Sequence, residues 1–260
     1  MKKFILFLPA AVLFLACNNE KKAGDLTNTD LIQQNLKGKV QHYDEMSYAV
    51  DSTGKMGAMD SITNSQDFDE KGYQTKFINK NPKGEVQTEG TMTRYDNGAV
   101  KSFESKTKGV LSSKMEIGID SNGKYNSAKT FDSTGKMSSY YKDISENEYG
   151  EVLTGTEYHP DNTLKSSFIS NYDKDGHYLG AVGKDSTGKE TFHSIIKLND
   201  KGDPIEQTTT TVMKDSTKTE TLTYKYDSYD EKGNWTQRTI SNDKGKATKI
   251  EKRTYTYYKD

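Results

Sequence analysis

The chain has 260 residues, with 37 basic and 38 acidic side chains and a net charge of −1; only 31% of its residues are hydrophobic. A near-neutral balance argues against nucleic-acid binding, which needs a basic excess or a basic stripe. So little apolar material beside 17 tyrosines argues against a thick, dry core and points to strands, which favour aromatic and β-branched residues.

At the N-terminus, Lys2 and Lys3 precede an apolar run from Phe4 to Ala16. That run is shorter than the roughly 20 residues a membrane span requires, and it has the layout of an export signal. It ends in "FLAC", and Cys17 is the single cysteine of the chain. The segment resembles the lipobox of bacterial lipoproteins, with Ala16 before the cysteine and Phe14 where that pattern usually has leucine. The resemblance implies that Cys17 becomes the mature N-terminus and carries acyl chains such as palmitate. Each buried methylene would add about 0.8 kcal/mol to membrane attachment. The expected location is then the bacterial cell envelope, lipid-anchored at the outer membrane; an ordinary secretory signal with an incidental cysteine is the competing reading.

Residues 18–38 are a polar tether, "NNEKKAGDLTNTD", followed by a short predicted helix. Thr29 or Asp30 would be its N-cap, Leu31, Ile32 and Leu36 its apolar face, and Gly38 would lie past its end.

From residue 39 to 260 one pattern dominates: Asp or Asn, two polar residues, then Gly. It begins at Asp51, Asp69, Asp120, Asp132, Asp173, Asp185 and Asp230, and with asparagine at Asn81, Asn147, Asn199 and Asn242. Shorter variants are Asp96-Asn97-Gly98, Thr107-Lys108-Gly109 and Pro160-Asp161-Asn162, and Asp215 opens a copy without its glycine. The first side chain can accept hydrogen bonds from the following backbone, and the glycine can take the positive φ of a hairpin bulge. Strand-length runs lie between, such as Phe192, Ile196, Leu198 and Leu222, Tyr224, Tyr226, whose members share one face. The reading is all-β: about 15 or 16 strands in a long, curved antiparallel meander of consecutive hairpins, an open single-layer sheet spanning roughly 70 Å if unrolled. A closed barrel or a sandwich is the alternative.

"FDEKG", "YDKDG" and "YDEKGNWTQR" resemble the YD repeats of bacterial Rhs-like proteins and of YD-type repeat lipoproteins. In the large Rhs proteins such repeats form a spiral shell around a cargo. This chain is too short to enclose one, so the resemblance implies only the meander.

Several motifs invite chemistry. Gly183, Gly188 and Lys189 in "VGKDSTGKET" fit a phosphate-binding loop, but Glu190 stands where Ser or Thr is needed and an alternating strand follows. "DSTGK" recurs at 51–55 and 132–136, so it reads as a turn. Asn171, Asp173, Asp175 and Gly176 match the first half of a calcium loop, but Val182 holds the position of the bidentate glutamate. His42, His159, His177 and His193 lack zinc-site spacing. No catalytic, metal or cofactor residue is assigned. Trp235 and Arg238, with Tyr255 and Tyr257 on the last strand beside Arg253, are the candidate partner-binding residues, the strand being a free edge if the sheet is open. The functional expectation is a non-enzymatic binding or structural module that meets the membrane through its anchor and presents a sheet to a protein or glycan. An immunity-like lipoprotein that intercepts a toxin and a glycan hydrolase are the alternatives.

Overall fold

The computed structural model describes residues 29–59, 63–147, 150–213 and 215–259; the leader, the tether and Cys17 lie outside these. A four-residue helix, α1 (Asp30–Gln33), precedes 17 strands. They are β1 (Val40–Val50), β2 (Met56–Met59), β3 (Thr63–Phe68), β4 (Gln74–Lys80), β5 (Val86–Arg94), β6 (Val100–Thr107), β7 (Val110–Ile119), β8 (Tyr125–Asp132) and β9 (Met137–Glu146). The second half comprises β10 (Val152–Tyr158), β11 (Leu164–Tyr172), β12 (Tyr178–Asp185), β13 (Glu190–Leu198), β14 (Pro204–Val212), β15 (Thr217–Tyr229), β16 (Trp235–Asn242) and β17 (Ala247–Tyr257).

Apart from β2 and β3, each strand pairs antiparallel with its sequence neighbours, and β17 pairs with β1 from Val40↔Tyr257 to Ala49↔Lys249. β2 and β3 lie in line against β1, so 17 strands make a closed barrel of 16 staves. This corrects the open sheet expected from the sequence. An open sheet of that length would leave two rows of unpaired backbone groups, and closure removes both. The C-terminal strand is therefore not an edge, because β17 is paired on both sides.

The turn motif acts as its chemistry predicts. At Asp51, the Oδ1 atom accepts from Thr53 N at 2.8 Å and from Lys55 N at 3.0 Å, and Gly54 takes φ +83°. Asp185 does the same for Thr187 and Lys189, with Gly188 at φ +82° and β13 starting immediately after, so the apparent phosphate loop is a hairpin turn. In the copy without glycine at 159–163, Asn162 takes the positive φ.

The two faces of the wall differ. Outward, charged pairs lie along the wall: Lys76–Glu89 at 3.6 Å and Lys114–Glu116 at 2.9 Å within the strands, and Lys197–Glu206 at 2.7 Å nearer the turn between β13 and β14. Inward are Tyr43, Phe77, Phe103, Ile117, Tyr141 and Phe168, with Gly90 under Phe77 and Phe103 and Gly155 under Phe168. In a single closed layer only the inner face can be shielded, and the buried clusters lie there. One comprises Val100, Ile117, Tyr125, Ala128, Tyr141 and Val152. The other comprises Leu31, Leu36, Val40, Tyr43 and Phe68. Both follow arcs of the wall, and the inward rings Phe77, Phe103, Phe168 and Phe192 are only half-buried. Barrels of about 16 strands are too wide for side chains to fill, and the lumen follows from that width.

Candidate functional site

The two ends of the barrel are built differently. At one end the turns from β3 to β4, β5 to β6, and so on to β15 to β16 lean on one another. Asn97 reaches Gly123 O, Tyr229 donates to Asp203 at 3.3 Å, and Tyr255 donates to Trp235 O at 2.8 Å. Residues 29–39 lie across this end. Leu31 N donates to Gly72 O at 3.2 Å, Asn35 Nδ2 to Asp203 Oδ1 at 2.7 Å, and Asn234 exchanges hydrogen bonds with the Lys37 backbone. Asp30 is buried, paired with Arg94 and accepting from Gln74 N. Burial pushes its carboxyl up to about 6 even though Arg94 pulls the other way. Between this cap and the turns is a cavity of about 380 Å³, lined by Leu31, Leu36, His177, Lys232 and Tyr257 among others. The helix expected near Asp30 is present but short, with Thr29 as N-cap and Asn35 at φ 55° turning the chain. At the opposite end the turns are exposed, and a Cβ added at Gly54, Gly84, Gly135 or Gly188 would meet nothing within 4 Å.

All four residues singled out for partner binding gather on the inner wall near the closed end. Trp235 is 6% exposed, with the Arg238 guanidinium 4.3 Å and that of Arg253 4.1 Å from its ring centre. Arg238 pairs with Glu251 at 2.6 Å, and Arg253 with Glu45 at 2.7 Å. Burial works against both guanidinium charges, but the facing glutamates more than offset it and hold the pKa values above their ordinary level. Partial burial works against the Glu45 carboxylate, but Arg253 and Arg238 outweigh it and hold Glu45 below its usual value. Tyr257 accepts from Asn234 Nδ2 at 2.8 Å and donates to Asp230. These residues tie β15, β16, β17 and β1 together, and Trp235 faces the lumen side rather than an outer partner. Arg238 and Trp235 were readable together because they lie three residues apart; Glu251 and Arg253 join them across the β16–β17 hairpin, and only Glu45 arrives through closure.

Two other carboxyls carry no signal in their local sequence. Burial raises both Glu146 and Glu151, at the turn from β9 to β10, to about 7. Tyr125 N, at the start of β8, donates to Glu146 Oε1 at 2.6 Å, and Asn147 Nδ2 donates to Glu151 Oε2 at 2.7 Å within one turn. Asp173, Asp175 and His177 come within reach of a common point, as the calcium half-motif foreshadowed for the first two. But Asp173 already accepts from Asp175 N, His177 N and His177 Nδ1, and Asp175 pairs with Lys174. Their arrangement is accounted for by the turn.

No family model and no curated protein sequence matches the chain. Among solved structures, it is similar to a porin-like protein from Bacteroides uniformis, with TM-score 0.55 and 13% identity, over 85% of this chain and 98% of that one. A porin-like protein from Bacteroides vulgatus aligns at TM-score 0.42 and 10% identity, over 85% of this chain and 100% of that one. The Photorhabdus luminescens Tc holotoxin pore aligns at 0.35 and 12%, over 80% of this chain and 11% of that one. The first shows a shared fold, a closed antiparallel barrel; the other two are too distant to carry an argument.

Proposed function

We propose that this chain is a non-enzymatic binding module of the bacterial cell envelope, anchored through acylated Cys17, that holds a glycan in its lumen. The observation carrying this reading is the inversion of its two faces relative to a membrane pore. A lipid-facing barrel needs a continuous apolar belt, and a Lys at mid-bilayer costs about 2–4 kcal/mol. Here the outer wall carries Lys–Glu pairs, and Phe77, Phe103, Tyr141 and Phe168 face inward, with the Tyr140–Tyr158 stack on the outer face. The similarity to a porin-like protein therefore supports the barrel and an envelope setting, and the charged wall favours a barrel standing in water beside its membrane.

A glycan is the ligand class that suits the inner wall. Half-buried rings offer faces for stacking, and Asn79 and Thr88, hydrogen-bonded to each other at 2.8 Å, supply polar groups beside Phe77. Sealing of one end by residues 29–39 leaves the opposite mouth as the entrance. Titration of the full-length protein with envelope oligosaccharides, followed by calorimetry, tests this. Binding should weaken at least tenfold in Phe103→Ala while circular dichroism is unchanged. No binding across the panel, or binding indifferent to Phe103, would sink the lumen reading. Labelled palmitate incorporation that survives Cys17→Ala would sink the anchor.

A further inference from the structure

The repeat often places an apolar residue two positions after the turn residue of positive φ, and at the open end three of these, Met56, Val86 and Leu164, are exposed while Met137 is half-buried. At the closed end this position holds Val100, Tyr125, Val152 and Trp235, all buried, and Tyr178, which is 38% exposed. At the open end it holds Met56, Val86 and Leu164, and Val110 follows directly on Gly109; all are exposed, Val110 to 69%. With Met213 these make five of the nine large exposed apolar side chains among the described residues, collected on one rim. Scattered exposure would need no explanation, but five such side chains gathered on one rim do.

The rim's charge narrows the occupant. Among the described residues its turns at 51–55, 81–85, 107–109, 132–136, 159–163, 185–189, 213–216 and 242–246 carry seven lysines and seven acids. None of those lysines has an ion-pair partner among the described residues. A surface of equal and interleaved signs suits neither a nucleic acid nor an anionic bilayer, each of which presents one sign. It is complementary to itself. The available area also fits. Sixteen staves about 4.8 Å apart give a perimeter of about 77 Å, and a wall about 10 Å thick then offers about 800 Å². That is the share each partner contributes to a standard stable interface.

We infer that the open rim is the contact surface for a second copy of this chain, two barrels meeting mouth to mouth about a two-fold axis. The apolar ring of each covers that of the other, and the rim lysines meet the turn acids of the opposite copy. The dimer closes the mouth, so a lumenal ligand would be confined to an oligosaccharide that fits within the joined chamber. The inference rests on the rim alone and stands or falls separately from the ligand reading.

Sedimentation equilibrium of the full-length protein in density-matched detergent tests it. The expected result is twice the monomer mass at tens of micromolar protein. Val110→Lys with Leu164→Lys should raise the dissociation constant at least tenfold without moving the thermal unfolding midpoint. The milder pair Met56→Gln with Val110→Gln serves if the lysine pair misfolds. Tyr178→Lys, at an exposed position of the closed end, should leave the dimer intact. A monomeric unaltered protein overturns the proposal. So does a dimer that survives both sets of rim substitutions, since the leader or acyl chains would then be the source.

Discussion

Gly90 shows how single residues decide the inner wall. A Cβ there would lie 2.2 Å from Phe77 Cε1 and 2.9 Å from Phe103 Cε2, two rings stacked with centres 6.0 Å apart. The glycine is needed for space, because the rings lie over its backbone. Gly135 is needed for conformation: it has φ +80° and nothing within 4 Å of a Cβ. Gly90→Ala should therefore cost about 1–3 kcal/mol through overpacking. Gly135→Ala should cost about 1–2 kcal/mol through left-handed strain. Urea denaturation separates the two mechanisms, since Phe77→Leu should partly rescue Gly90→Ala and leave Gly135→Ala unaffected. At the same scale, Glu146 and Glu151 set a pH dependence. Their folded values of about 7 lie above the ordinary carboxylate value of 4.5, so the folded state keeps protons that the unfolded chain has released. Their contribution is fully present below about 4.5 and is lost as pH rises to about 7. The unfolding midpoint should fall between pH 5 and pH 8. Glu146→Gln keeps the acceptor for Tyr125 N and should flatten that fall; an unchanged slope would mean the glutamate is not the titrating group.

At the scale of elements, local and long-range features separate cleanly. The hairpin turns were legible because each is a closed local system: Asp51 and Gly54 determine their own loop whatever lies elsewhere. The short helix was legible through the apolar spacing of Leu31 and Leu36, which pack on Val40, Tyr43 and Phe68, although Thr29 makes no side-chain cap hydrogen bond. Closure was not legible, because the groups that fasten the seam are far apart in sequence. Glu45 and Arg253 are 208 residues apart, and each reads in its own strand as a solvated charge. Folded, they are largely shielded together beside Trp235, so the candidate site changes from a surface patch into a fastening of the wall. Removing one partner of a buried pair strands the other charge and costs about 3–5 kcal/mol. Glu45→Ala should show a loss of that size. Glu45→Leu combined with Arg253→Met should lose less, since no charge is left unpaired. A double variant less stable than the single one would assign the seam's stability to the ion pair itself and not to packing.

The whole molecule depends on that seam more than on any one cluster. Its buried residues lie in arcs along the wall rather than in one central core, and 16 staves enclose a lumen their side chains do not fill. Stability is then distributed over neighbour-to-neighbour pairings, each modest, and the ring arrangement gives every stave two neighbours. Deleting residues 247–260 removes β17, which pairs with β16 over Gln237–Ser241 and with β1 along nearly its full length. It also removes Arg253, Tyr255 and Tyr257, leaving Glu45, Trp235 and Asn234 without their inner-wall partners. Two long edges would appear at β1 and β16, in a sheet whose inner face is aromatic. An open meander would tolerate loss of its last strand by simply ending one hairpin earlier. The barrel should not: the truncated chain is expected to lose cooperative unfolding and to self-associate through its new edges. Calorimetry and light scattering on the deletion distinguish these outcomes. A truncated chain that stays monomeric and unfolds in one sharp transition would show that the meander, rather than its closure, is the folding unit.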